Sequence, residues 1–364
     1  MMQSQRAGHR SAAQNLKASL AYGVVRSGVA ALARTRQKRA LRVLMYHGVL
    51  PHVQGPSAYG DLFITADAFA RQMRYLKRAY QVLALEEVMQ RIVSQGECPD
   101  RAVVITFDDG YRNTVTTALP ILQALRLPAT VFIAAQLAGT RDLLWFDAVR
   151  IMVAEGFVSG KTLELGAGIV IDGRSTDGPE SVFADCVNRI IDLETEDYDR
   201  VVTQIAARSR EGRFDERSPQ FALAGWDEWR EALADGGFAI GSHGLAHGNV
   251  AKRSFEGCLE EFQQSKRRLE EELARPCRAI AYPYGVWDHR VTEAARQAGY
   301  VWGLTTDDGL NVPQSDPLAL HRTMVGDQGS FHLFCARVSG AWGWLRAMTA
   351  TTSRRSPLPV VRGW

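Results

Sequence analysis

The chain has 364 residues, of which 46% are hydrophobic and 23% charged, and a formal net charge of +3. This is the composition of an ordinary globular protein, long enough for one barrel-sized domain with an insertion. No run of residues reaches the ~18–20 apolar positions that span a bilayer. Five scattered cysteines, without the spacing of a metal site, predict buried, reduced thiols in a cytoplasmic protein.

Charge is distributed unevenly along the chain. Residues 1–42 carry nine Lys or Arg and no acidic residue, and the residues after Asp327 carry five Arg and no acidic residue. The other 29 of the 43 basic residues stand against all 40 acidic residues, so residues 43–327 have a net charge of −11. We therefore predict a basic N-terminal arm (1–40), an acidic body (41–330) and a basic C-terminal tail (331–364).

The arm has two interpretations. Leu16, Leu20 and Val24 follow a partly helical spacing beside Lys17 and Arg26, which favours either a helix that contacts an anionic membrane or a disordered, solvated arm. The first interpretation predicts a cytoplasmic protein peripheral to the inner membrane. The acidic body and the lack of a docking motif argue against nucleic acid as a partner. The sequence leaves the oligomeric state open.

Strand and helix patterns alternate along the body. The predicted elements are, in order, a strand at 41–45, a helix at 67–80 capped by Thr65, a strand at 103–107, a helix around 118–125, a strand at 129–134 and a long amphipathic helix at 255–273. This alternation predicts an α/β fold with a parallel sheet or barrel.

The pattern changes between about residues 145 and 225. Residues 162–165 and 169–171 are typical of a hairpin, and residues 181–207 predict two helices interrupted near 194–196. We interpret this stretch as an inserted α+β segment over the mouth of the barrel, either for substrate selection or for packing alone.

Two motifs carry the residue types of a hydrolytic metal site. Asp108 and Asp109 follow the buried strand pattern 103–107, at the sheet edge where α/β folds place their chemistry. His243 and His247 stand four positions apart after a second strand pattern. Two imidazoles and one carboxylate leave coordination positions open, as a catalytic metal site requires. One aspartate would then bind metal while its neighbour handles protons.

The chain resembles the polysaccharide deacetylase family, the NodB-homology carbohydrate esterases. The resemblance runs from about residue 41 to about residue 326 and rests on five segments: 44–49 (LMYHGV), 106–111 (TFDDGY), 242–248 (SHGLAHG), 281–285 (AYPYG) and 320–322 (LHR). It implies a distorted (β/α) barrel and a divalent metal, usually Zn²⁺. It also implies hydrolysis of N-acetyl groups on the amino sugars of a polysaccharide or lipid-linked glycan.

The resemblance also implies roles for individual residues. Asp109, His243 and His247 would bind the metal, and Asp108 would act as the general base. The backbone N–H of Tyr284 would complete an oxyanion hole.

The general acid has two candidates, His47 in the early Tyr-His motif and His321 in the late Leu-x-x-His motif, and we favour His47. Family members commonly orient the catalytic Asp with an Arg two positions before the Pro of the motif that is 281–285 here, where this chain has Ala281. We therefore predict that Arg322 takes over this role and keeps Asp108 ionised.

Two other functions fit the same residues less well. One is hydrolysis of a C–N bond in a small cyclic amide by the same fold, against which the Tyr46-His47 start and the insertion argue. The other is a glycan-binding relative without activity, which is disfavoured because all three predicted ligands and the predicted base are present.

Overall fold

Strands and helices alternate over most of the chain in the computed structural model, which describes residues 12–52, 62–326 and 330–344. The strands are β1 Arg42–Tyr46, β2 Gly48–Leu50, β3 Phe63–Thr65, β4 Gln81–Val82, β5 Ala102–Phe107, β6 Ala129–Ile133, β7 Thr162–Gly166, β8 Ile169–Asp172, β9 Phe238–Ser242, β10 Ala279–Ala281, β11 Trp302–Leu304 and β12 Thr323–Met324. The helices are α1 Ala12–Arg26, α2 Val29–Arg36, α3 Ala66–Ala79, α4 Leu85–Gln95, α5 Leu119–Leu125, α6 Trp145–Ser159, α7 Pro179–Ile191, α8 Thr195–Glu211, α9 Phe214–Arg217, α10 Trp226–Leu233, α11 Phe255–Leu273, α12 His289–Gln297 and α13 Phe331–Val338.

The main sheet is parallel throughout. Its strand order is β11-β10-β9-β6-β5-β1-β12, and β4 also pairs with β5. Every residue of β1, β5 and β6 is buried, because helices cover the outer face and side chains fill the interior. Strands buried on both faces are continuous apolar runs rather than alternating ones, and the run at 102–107 has that character.

Residues 317–325 close the sheet into a barrel. On one side, Gly303 N–H donates to the Pro317 carbonyl and Leu320 N–H donates to the Gly303 carbonyl. On the other side, β12 pairs with β1, and Val325 N–H donates to the Met45 carbonyl. Few backbone hydrogen bonds hold the sheet closed at this strip, so the barrel is distorted. The predicted α/β fold, a distorted (β/α) barrel of the deacetylase type, is confirmed.

The predicted elements are present with shifts of one or two residues at their ends, except that α8 ends at Glu211, four residues beyond the predicted 207. The Thr65 hydroxyl accepts a hydrogen bond from the Ala68 N–H and caps α3, as predicted. A π-helical turn, Thr114–Ala118, leads into α5. The five cysteines are unpaired and buried, as predicted. No helix among the described residues has the length and apolar character needed to cross a bilayer.

The segment predicted as an insertion forms its own apolar core against the barrel. Helices α6 to α8 and the antiparallel hairpin β7–β8 share this core with Tyr111 and Tyr284, which belong to the second and fourth motifs. The segment is thus in direct contact with the residues that surround the predicted site.

The two basic ends of the chain meet. Helices α1 and α2, from the predicted arm, pack with α13, from the predicted tail, around small buried side chains. The Arg42 guanidinium joins this group to the barrel by donating to the Val338 carbonyl oxygen at 2.6 Å. Residues 1–11 and 345–364 of the predicted arm and tail lie outside the described residues.

Candidate active site

Four strands deliver the predicted site residues to one end of the barrel. His47 follows β1, Asp108 and Asp109 follow β5, His243 follows β9, and Tyr284 lies in the 3₁₀ turn after β10. Because parallel strands end at the same rim, residues from four distant motifs meet there. The sequence-based expectation of one catalytic edge therefore agrees with their placement.

Asp109, His243 and His247 form a candidate metal site. One ligand atom from each lies within 4.8 Å of the others, and all three side chains are buried. The Asp109 Oδ1 is 3.3 Å from His243 Nε2 and 3.4 Å from His247 Nε2. Two ligand atoms held at about 2.1 Å on a tetrahedral ion are separated by about 3.4 Å, so the spacing fits one shared cation.

The hydrogen bonding of His243 supports this interpretation. Its Nδ1 lies 2.8 Å from the Ala281 carbonyl oxygen, and a carbonyl only accepts, so Nδ1 carries the proton. In the neutral ring, Nε2 then presents a lone pair to the Asp109 carboxylate, an arrangement that a shared cation satisfies. Burial lowers the pKa of His243, but the nearby Asp108 and Asp109 carboxylates outweigh burial and raise it.

The Asp109 carboxylate has no partner that donates a hydrogen bond with good geometry among the described residues. Burial raises its pKa, but the two imidazoles outweigh burial and hold the pKa well below its ordinary value. A buried, ionised carboxylate facing two imidazole nitrogens has the donor set of a divalent metal site with open positions.

His247 is held through its backbone. Its carbonyl oxygen accepts the Tyr284 hydroxyl at 2.8 Å and the Tyr198 hydroxyl at 3.0 Å. The Tyr284 ring meets the imidazole edge-on, with the two centroids 4.5 Å apart. Asp109, His247 and Tyr284 all adopt positive φ angles, of 75°, 58° and 59°. Such a conformation is costly for residues other than Gly and clusters at functional sites.

Arg322 holds Asp108 in a bidentate pair. Its Nη1 and Nη2 donate to the two carboxylate oxygens of Asp108, each at 2.7 Å, and its Nε donates to the Thr305 carbonyl at 2.7 Å. Both side chains are almost completely buried. Burial raises the pKa of Asp108, but the charge and hydrogen bonds of Arg322 outweigh it and lower the pKa below its ordinary value. Arg322 thus occupies the place predicted for it.

The two candidate acid histidines have different surroundings. His47 is buried, and the pKa of its imidazole is lowered because burial outweighs the nearby charges of Asp109 and Asp108. His321 precedes Arg322 in an extended segment, where neighbouring side chains point to opposite sides. Its ring lies against the backbone of Gly309. The charges of both carboxylates therefore act on the His47 imidazole, whereas the His321 ring packs against Gly309.

Three aromatic residues around the site were not predicted as site residues. The Trp145 Nε1–H donates to the Tyr284 hydroxyl at 2.7 Å, and the Phe146 ring lies 5.1 Å from the His247 ring. Trp145 and Phe146 could have been recognised from the Trp-Phe-Asp triplet at the start of the inserted segment. Tyr198, from α8, had no recognisable signal because its role depends on a tertiary contact.

Asp147, the third residue of the triplet, is a further buried carboxyl group. It is fully buried and accepts the Tyr111 hydroxyl at 2.8 Å. Burial raises its pKa well above the ordinary value, and its hydrogen bond with Tyr111 ties α6 to the Asp-Asp-Gly-Tyr motif.

Comparison with known proteins agrees with this site. The sequence profile described as Polysaccharide deacetylase matches residues 95–161 and 197–303. The putative polysaccharide deacetylase YxkH of Bacillus subtilis is 20% identical over 306 residues, which cover 84% of this chain and 78% of that protein. A poly-beta-1,6-N-acetyl-D-glucosamine N-deacetylase of Staphylococcus aureus is 19% identical over 275 residues, 74% of this chain and 70% of that protein.

Solved structures share the fold. The deacetylase PplD of Streptococcus pyogenes, in complex with acetate, is 21% identical with a TM-score of 0.52, and the match covers 79% of this chain and 92% of that one. IcaB from Ammonifex degensii is 20% identical with a TM-score of 0.54, and the match covers 83% of this chain and 97% of that one.

The fold and the site define a class of hydrolase: a (β/α) barrel with an Asp-His-His cluster and a separate aspartate at its rim. The chain belongs to the polysaccharide deacetylase family. The family uses a divalent metal, and the cluster of Asp109, His243 and His247 provides the donors for one. The profile omits residues 162–196, which contain the hairpin β7–β8 and helix α7.

Proposed function

We propose that this protein hydrolyses the N-acetyl groups of amino sugars in a polysaccharide or lipid-linked glycan, with Zn²⁺ held by Asp109, His243 and His247. The observation that carries the proposal is the placement of Asp108. It is a buried, ionised carboxylate directly beside a three-donor cluster, fixed by two hydrogen bonds from Arg322.

Each step of amide hydrolysis has a group in this chain. A divalent ion held by Asp109, His243 and His247 would supply an acidified water and polarise the acetyl carbonyl. Asp108 accepts the proton of the attacking water, and Arg322 keeps that carboxylate ionised and aimed. His47 donates a proton to the leaving amine; the negative charges of Asp109 and Asp108 favour its protonated form, against burial, which lowers its pKa.

The Tyr284 backbone N–H donates to the oxyanion that forms on the acetyl carbonyl. Its positive φ of 59° and the anchoring of its ring between Trp145 and His247 support this role, because they fix the turn that carries the N–H. Pro283 begins that turn with its φ restricted by the ring.

The names of the relatives favour a β-1,6-linked N-acetylglucosamine polymer as the substrate. Two relatives, from Escherichia coli and S. aureus, carry that substrate in their names, although the match to the E. coli protein spans only 67 residues and 10% of that protein. The partner is thus an N-acetylated glycan. An inactive glycan-binding role is disfavoured, because the base and all three metal donors are present and directed toward one another.

The test is release of acetate from a panel of N-acetylglucosamine oligomers with β-1,4 and β-1,6 linkages, together with a small cyclic amide. The panel is measured with metal-loaded protein, and the metal content is determined in parallel. We expect acetate from at least one oligomer, none after Asp108→Asn, and retention of the metal by that variant. Turnover of the cyclic amide alone, or equal acetate release by Asp108→Asn, would contradict the proposal.

A further inference from the structure

The chain ends form a compact helical group on the side of the barrel, which we call the terminal layer: helices α1, α2 and α13. Small side chains make its interior, among them Ala21, Ala33 and Ala336, which are fully buried. The Arg42 guanidinium and the hydrogen bond from Arg34 to the Tyr75 hydroxyl join the layer to the barrel. The layer is therefore a fixed part of the protein surface, with one face directed outward.

The outward face carries large apolar side chains. Leu16 and Leu20, one helical turn apart on α1, are 62% and 50% exposed, and Leu32 on α2 is 49% exposed. Together with Tyr22 they are four of the nine large exposed hydrophobic residues in the described part of the chain, and the other five are valines. Two leucines on one exposed face of α1, with a third exposed leucine on the neighbouring α2, indicate a surface that is covered in use.

The charge on this face is of one sign. Residues 12–52 and 330–344 contain no Asp or Glu. The exposed Lys17, Arg26 and Arg36 make no ion pair with any described residue, whereas Lys38 and Arg39 pair with Asp100 and Glu97 of the body. Residues 43–327 have a net charge of −11, so a negatively charged surface attracts the terminal layer and repels the rest of the molecule.

We propose that the terminal layer docks on an anionic lipid surface, with Leu16, Leu20 and Leu32 entering the interface and the basic side chains contacting the headgroups. Apolar side chains beside unpaired cations on a helix are the features that bind such a surface. A nucleic acid would use the cations and leave the leucines exposed, and a second copy of the chain would bring two positive faces together. This proposal does not depend on the identity of the glycan.

The test is sedimentation of the full chain with vesicles of phosphatidylcholine alone, or with about a third of the lipid replaced by phosphatidylglycerol. We expect binding to the anionic vesicles, weakened by added salt. The double variants Leu16→Glu/Leu20→Glu and Lys17→Glu/Arg26→Glu should each reduce the binding constant at least tenfold. The matched control is Val158→Glu on α6, a position that is 91% exposed and far along the chain from the layer, and it should bind as the native chain does.

Four further measurements, of helix content, acetate release, oligomeric state and DNA binding, separate this idea from its competitors. Helix content and acetate release from a soluble oligomer should be the same in all variants, which shows that the variants fold and that docking is separate from turnover. Binding to anionic vesicles that survives both double variants would overturn the proposal. A native dimer that Leu16→Glu/Leu20→Glu converts to a monomer would also overturn it. The same holds if the chain binds double-stranded DNA as strongly as it binds vesicles and the leucine substitutions leave DNA binding unchanged.

Discussion

Replacement of Arg322 by Met tests the most specific feature of the site. The change removes both donors to Asp108 and leaves a carboxylate that is 3% exposed without its bidentate partner. Removing one member of a buried ion pair costs roughly 3–5 kcal/mol of unfolding free energy. We expect a loss of that size at neutral pH, measured by urea unfolding of the metal-free protein, and a fall in kcat/KM of about 10²-fold or more because the base is no longer held ionised.

The pH dependence of this loss has a definite sign. Asp108 has a lowered pKa in the folded protein, so its contribution is fully present above the ordinary value of 3.8 and disappears as pH falls through the folded value. The stability gap between the native chain and Arg322→Met should therefore be widest near neutral pH and shrink in acid.

Two further variants isolate the interaction. Arg322→Lys keeps the charge without the bidentate geometry and should fall between the native chain and Arg322→Met in stability and activity. Asp108→Asn/Arg322→Met removes both charges and should be more stable than Arg322→Met alone. A loss below about 1 kcal/mol for Arg322→Met, with unchanged kcat/KM, would refute the reasoning.

Other predictions concern the acid, the metal donors and their support. His47→Gln should lower kcat by about 10²-fold or more, whereas His321→Gln should stay within a few-fold of the native value, since its ring faces Gly309; the reverse ranking would exchange the two assignments. His247→Ala should lose bound metal, measured by elemental analysis after dialysis, and unchanged stoichiometry would remove it from the ligand set. Tyr284→Phe deletes the hydroxyl that donates to the His247 carbonyl, so metal affinity should fall by about tenfold or more. An unchanged Zn²⁺ titration would show that the Tyr198 hydroxyl alone is enough to hold that carbonyl.

Sequence reasoning named residues that the structure brings together, because the motifs sit at strand ends. Asp108, Asp109 and His243 each follow an apolar run whose length marks it as a buried strand, and strand ends of a parallel barrel share one rim. Arg322 was predicted from a missing arginine at position 281, and the structure puts its guanidinium on Asp108.

Other features had no local signal. Tyr198 reaches the His247 carbonyl from a helix 49 positions away in the chain, and no spacing rule connects the two. The left-handed backbone of Asp109 and His247 is imposed by the surrounding structure, since neither residue type demands it. The pairing of α1 with α13 joins opposite ends of the sequence, so amphipathic spacing in α1 alone does not identify its partner.

The strip from Pro317 to Val325 has a practical consequence for protein production. It closes the barrel and carries Arg322, whose guanidinium binds Asp108. This strip lies beyond residue 303, where the match to the family profile ends. A recombinant fragment trimmed to the profile, residues 95–303, would retain Asp109, His243 and His247 but would lose strands β1 and β12, the candidate acid His47, and Arg322, the partner of the proposed base. We expect such a fragment to take up metal poorly and to release no acetate, whichever glycan is offered as substrate.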